Sequence, residues 1–141
     1  GAFDADAMTY VDATHVSSAL SLPLPVGYRA SLDSAMGRAY LASLPPGACD
    51  ETMARLEAAA PPVDAIARAR EELQESGCCF AIGEWQSGIN AVAVPFTSIT
   101  GEGVFVMSCG GPASLLPEPE LRTRVAPALR AAIAGLAGAS A

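Results

Sequence analysis

The 141-residue sequence has no lysine: all eight of its basic residues are arginine, set against fifteen Asp and Glu, for a formal charge of −7. A chain so acidic has little with which to grip a phosphate backbone, because that grip rests on clustered cations releasing counterions. Without lysine no Walker-type phosphate loop can be completed, and Gly101-Glu102-Gly103 is a turn between strands with no strand–G-x-G-x-x-G–helix unit around it. The one histidine, His15, has no Ser, Cys or carboxylate pattern near it that would mark a triad, so it reads as a surface or satisfied imidazole. There is no C-x-x-C and no H-x-x-x-H, and vicinal Cys78 and Cys79 suit no common tetrahedral site, so no metal or other cofactor is expected. On a strand those two cysteines point to opposite faces; with Cys49 and Cys109 they read as reduced thiols serving as small hydrophobes. No apolar run approaches the ~20 residues of a membrane span, and no basic segment opens the chain. The expectation is a soluble, cytoplasmic protein with no membrane partner.

What is present is a composition that is 51% hydrophobic and only 16% charged, enough for one core and one domain over residues 1–141. MTYVD at 8–12 and VSSALSL at 16–22 read as strands, and PLPVGYRA at 23–30 as a shaped loop. Asp33 or Ser34 can cap a helix over about 34–44, stopped by Pro45, Pro46 and Gly47; 49–59 reads as a second helix with Met53 and Leu56 inward. After Pro62, helical spacing of Val63, Ile66, Ala67, Arg70 and Leu73 predicts a third helix, with Arg68 and Glu72 paired across a turn and Gly77 as its stop. The period then changes: 78–84, 89–96 and 103–109 read as three strands joined by two short connections, an antiparallel meander whose middle strand is almost continuously apolar and so covered on both faces. The tail from Pro117 to Gly138 carries Leu121, Val125, Leu129, Ile133 and Leu136 on one stripe, a helix that Pro127 should kink or delay.

Two places invite chemistry. Glu84 ends an apolar strand beside Trp85, either as a turn residue or at a pocket mouth. In VFVMSCGGPAS at 104–114, Val104, Val106, Ser108 and Gly110 share one strand face, and Phe105, Met107 and Cys109 the other. If the latter pack under helices, the opposite face ends in a hydroxyl and a bare backbone position, open to a ligand oxygen. The alternative is a serine bonded to a neighbouring carbonyl and a glycine serving a bulge.

The ordered set of MTYVD, VGYRASLDSAMGRAYLASLPP, a helix ending in ESG, CCFAIGEWQSGINAVAVPF, GVFVMSCGGPASLL and a closing amphipathic helix resembles the effector-binding domain of IclR-type transcriptional regulators, over roughly residues 8–137. The resemblance implies a GAF-like α+β fold: a curved antiparallel sheet with helices on one face and a ligand cavity on the other. It also implies a missing N-terminal winged helix-turn-helix, through which alone operator DNA would be bound, and self-association as a homodimer or homotetramer. Carried over residue by residue, the ligand-binding set is Ser34, Ala35 and Met36 at the helix entry, Cys79 and Ala81 on the first meander strand with Trp85 after it, Ile89 and Ala91 on the second, and Ser108 and Gly110 on the third.

Relatives that sense small keto acids carry an aspartate, a cysteine and a second serine where this chain has Ala81, Ala91 and Gly110, and often an arginine at Asn90. The proline-apolar-histidine lead into the first helix is replaced by Ala30-Ser31-Leu32-Asp33. Fewer polar contacts and smaller side chains imply a roomier, drier cavity, so the expected small-molecule effector has a hydrophobic or aromatic body and at most one acidic end. The expected protein is a sensor and not an enzyme. Two rival readings stand beside it: a GAF-like enzyme using Cys79 or Cys109 as nucleophile, which lacks a base, and a dimerisation module whose pocket is vestigial.

Overall fold

A computed structural model describes residues 1–14, 24–97, 100–101 and 103–136. The strand expected at 16–22 and His15 lie outside the described residues. Six strands form one antiparallel sheet: β1 (Ala2–Asp4), β2 (Ala7–Thr9), β3 (Arg29–Ala30), β4 (Cys79–Ile82), β5 (Ile89–Thr97) and β6 (Val104–Pro112), in the order β3-β2-β1-β6-β5-β4. The helices are α1 (Ala35–Ser43), α2 (Pro46–Leu56), α3 (Val63–Ser76), the single turn α4 (Glu118–Glu120) and α5 (Ala126–Leu136), with a 3-10 turn at Glu57–Ala59 and a π-helical turn at Leu121–Val125.

The meander forms as its short connections require, and β6 runs three residues further than expected, to Pro112, because Gly110 and Gly111 continue the ladder opposite Ala91 and Asn90. The first strand differs from its expectation. The chain makes a β1–β2 hairpin over 2–9, turned at Ala5 with φ of 59°, and regular strand ends at Thr9 although Tyr10 N–H still bonds Tyr28 O at 2.9 Å. Ala and Asp have weak strand propensity; the hairpin gains its place from the sheet, where Ala2 pairs with Phe105 of β6. The loop read at 23–30 ends in the short edge strand β3.

Helices cover both faces. Against one face, Ala39 and Leu41 of α1, Cys49 of α2 and Ile66 and Ala69 of α3 form a buried cluster with Cys79, Ala81, Ala93, Val106 and Met8. Against the other, Leu121, Ala126 and Ile133 of the tail meet Cys78, Phe80, Val92 and Val94, with Met107 and Cys109 at the margin. So Met107 and Cys109 do pack under a helix, while the Ser108 face is itself roofed by α1 and α3. Residues as fully covered as Met8, Leu41 and Leu121 contribute about 1.5–3 kcal/mol each.

Prolines set the helix limits. Pro46 opens α2 at its first position, so that helix starts three residues before the expected 49. α3 ends as expected, on Gly77 with φ of 76°, but Val63 at its first position is exposed, Ala67 faces outward, and the buried residues are Ala65, Ile66 and Ala69. The kink expected at Pro127 appears as the π turn just before it: Ala126 N–H reaches back to Leu121 O, widening the ladder ahead of a residue with no N–H to give.

Candidate functional site

Strand register sets the floor of the Ser108 face. Ala81, Ala91 and Gly110 lie side by side across β4, β5 and β6; the next row is Cys79, Ala93 and Ser108; Ile89 lies opposite Pro112. The structure therefore brings Ala81, Ile89, Ala91, Ser108 and Gly110 onto one patch. A Cβ on Gly110 would stand 3.2 Å from the Ala91 Cβ, so glycine keeps this row flat. Towards the centre the patch is closed: Cys79, Ala81 and Ala93 are buried in one cluster with Ala35, Met36 and Ala39, so α1 takes up the volume that the small side chains give up. Towards the strand ends Ala91 and Ile89 are half-buried and Gly110 is exposed. Ser108 is half-buried, and its side chain hydrogen-bonds with Tyr10, whose phenol is pushed up chiefly by burial.

Ser34, Ala35 and Met36 are all buried where α1 begins over this floor. Ser34 is the N-cap: its Oγ accepts from Gly37 N–H at 3.2 Å and donates to Ser31 O at 2.7 Å. Ala35 and Met36 are then the first-turn residues whose N–H groups lie beyond the intrahelical ladder. Gly37 is required by packing, since a Cβ there would sit 2.4 Å from Leu32 Cα.

Burial pushes Cys79 strongly up, its Sγ donating to Ala69 O at 3.5 Å, and burial raises Cys109 as well. Both surroundings favour the protonated thiol, the opposite of what activates a cysteine nucleophile.

Trp85 stands elsewhere. It lines an open cleft of about 670 Å³ between the loop into α1, the start of α3 and the β4–β5 connection, together with Ser31, Asp33, Arg38, Asp64, Arg68 and Glu84. Arg38, only 6% exposed, bonds Glu84 Oε2 at 3.1 Å, and its Nε has no hydrogen-bond partner. Arg68 bonds the same oxygen. Burial alone would raise the Glu84 carboxyl, but Arg68 and Arg38 outweigh it and hold it below its usual range.

Glu84 thus stands at a pocket mouth as an ion-pair partner, and the expected Arg68–Glu72 pair is replaced. Glu72 instead accepts from Phe80 N–H at 3.4 Å and stands 3.9 Å from Arg122, which stacks on the Phe80 ring at 4.2 Å. Burial dominates at Glu72 and raises its carboxyl. Sequence reasoning missed Arg38, although a lone cation inside the apolar run SAMGRAYLA was a signal that a carboxylate must come to it.

The same fold is found among bacterial transcription regulators. The chain superposes on an IclR family transcriptional regulator from Brucella abortus with a TM-score of 0.86 and 27% identity, over 99% of this chain and 55% of that one. An IclR-type regulator from Alicyclobacillus acidocaldarius gives 0.76 and 24%, over 96% and 57%. The inducer-binding domain of a PobR double mutant from Acinetobacter, in complex with 3-hydroxybenzoic acid, gives 0.67 and 18%, over 80% and 69%. The chain therefore spans little more than half the length of the first two. No curated protein matches it by sequence. The family described as bacterial transcriptional regulator IclR, C-terminal, matches residues 1–136, and the chain belongs to it. No helix among the described residues is long and apolar enough to cross a membrane.

Proposed function

We propose that this chain is the effector-sensing part of an IclR-type regulator, binding a small organic carboxylate with a hydrophobic or aromatic body. The observation that supports the reading most directly is the flat row Ala81–Ala91–Gly110, open at Gly110 and flanked by Ile89 and the Ser108 hydroxyl, beneath the first turn of α1. An apolar body lies on the row, and a carboxylate oxygen reaches Ser108 or the N–H groups of Ala35 and Met36. Seating it requires α1 to move away from the sheet, and that movement couples the ligand to a winged helix-turn-helix attached elsewhere in the protein, which carries the operator contact. Only a ligand that favours one of the two α1 positions can signal. The working form is a homodimer or homotetramer in the cytoplasm.

Thermal shift against aromatic acids, short keto acids and neutral aromatics tests this. A ligand at a hundredfold its Kd stabilises the fold by ~2.7 kcal/mol. Aromatic acids are expected to stabilise the chain and to lose the effect in Ser108→Val. Stabilisation confined to short keto acids, or by none of the panel, refutes the reading.

A further inference from the structure

The cleft holding Trp85 has a charge arrangement that the protein itself does not complete. Two guanidiniums converge on one carboxylate oxygen, Glu84 Oε2, while Oε1 receives only a 3.5 Å contact from Ile82 N–H. Arg38 is more than nine-tenths buried and still leaves Nε without an acceptor. Such an orphan is costly and rare in native structures. The other two carboxylates that line the cleft, Asp33 and Asp64, are exposed, and neither makes an ion pair among the described residues. The base is therefore rich in donors and the rim rich in acceptors. At about 670 Å³ the cleft has the size of an ordinary metabolite site.

We propose that this cleft is a second small-molecule site, separate from the sheet face, for a monocarboxylate carrying a hydrogen-bond donor at its far end. The carboxylate joins Arg38 and Arg68 at the base as a second acceptor beside Glu84. The donor, an ammonium or hydroxyl, meets Asp33 or Asp64 at the rim, and Trp85 forms part of the wall. Polyanions are repelled by the rim, and neutral molecules leave the guanidiniums as they are.

Trp85 is the chain's single tryptophan, so its emission reports on this cleft directly. Titration with δ-aminovalerate is expected to change that emission saturably, with valerate weaker and valeramide without effect. Arg68→Gln removes a half-exposed side chain and leaves the Arg38–Glu84 pair in place, so the fold survives; loss of a charged hydrogen bond weakens δ-aminovalerate about tenfold or more. Ser108→Val, in the other pocket, leaves the titration unchanged. No saturable response, equal binding of valeramide, an unaltered Kd in Arg68→Gln, or loss in Ser108→Val would each overturn the cleft site. The last two would do so while leaving the sensor reading, judged by the thermal panel, intact.

Discussion

Replacing Glu84 by glutamine keeps the shape of the side chain and removes its charge, leaving the Arg38 guanidinium without a counterion. Removing one partner of a buried pair costs about 3–5 kcal/mol, whereas exposed pairs are worth about 0.2–1 kcal/mol. Arg38 is 7% exposed in its side chain and Glu84 33%, which places this pair between the two limits and the cost at about 2 kcal/mol. Arg68, half in water, adds little. For a chain of this size 1 kcal/mol moves the melting point by about 3 °C, so Glu84→Gln should melt about 6 °C lower.

The double variant Arg38→Met/Glu84→Gln removes the orphaned charge as well and should recover most of the loss, a coupling that urea denaturation of all four species measures. The Glu84 carboxyl is held below its ordinary value of 4.5 in the folded chain. Its stabilisation is therefore complete above that value and is lost as pH falls through the lower folded one, so the gap between parent and Glu84→Gln should close in acid. A single variant within about 0.5 kcal/mol of the parent, a double variant worse than the single, or a gap that persists in strong acid would refute the argument.

Gly37→Ala should destabilise the fold by about 1–3 kcal/mol in urea despite alanine's better helix propensity, because its Cβ lands 2.4 Å from Leu32 Cα. Ser34→Ala removes the cap on Gly37 N–H and should cost about 1 kcal/mol, with Ser34→Asp recovering most of it. Iodoacetamide at neutral pH should leave Cys79 unlabelled in the folded chain and label it after unfolding in urea, as mass spectrometry of the peptides would show; rapid labelling of folded Cys79 would revive the enzymatic reading.

How far the sequence carried the reading depended on whether a feature was local. The meander was legible because Cys79–Ile82, Ile89–Thr97 and Val104–Pro112 are short apolar runs joined by glycine-bearing turns. α3 was legible in extent because Gly77 takes a left-handed φ that other residues avoid. The β1–β2 hairpin was not, since Ala2–Asp4 with its neighbouring Ala and Asp residues carries little strand signal until β6 supplies a partner for Ala2. Arg68 and Glu72 have the spacing of a helical pair, but Glu84 on the β4–β5 connection competes for the arginine, and spacing along one helix says nothing of a carboxylate arriving from another element.

The candidate sheet site was half legible for the same reason. Which side chains share a face follows from parity, and the register Ala81–Ala91–Gly110 agrees with it. How closely α1 approaches that face depends on how Ala35, Met36 and Ala39 pack on Cys79, Ala81 and Ala93, and on no pattern in the strands. The cleft joins residues from three separate segments, 31–38, 62–68 and 84–86, and a single sequence brings none of them together.

The π turn at Leu121–Val125 makes the tail a helix of two phases. Among the described residues its buried positions fall at Leu121, Ala126 and Ile133, a gap of five residues and then one of seven, where an unbroken α-helix would repeat at three, four or seven. The surplus residue acts as a vernier: it rotates everything downstream by about a hundred degrees against the sheet, so Ala126 and not Val125 is fully buried there. A one-residue deletion within 121–125 would leave gaps of four and seven, which an unbroken α-helix satisfies, so the π turn should vanish while Ile133 stays in step with Val92 and Val94.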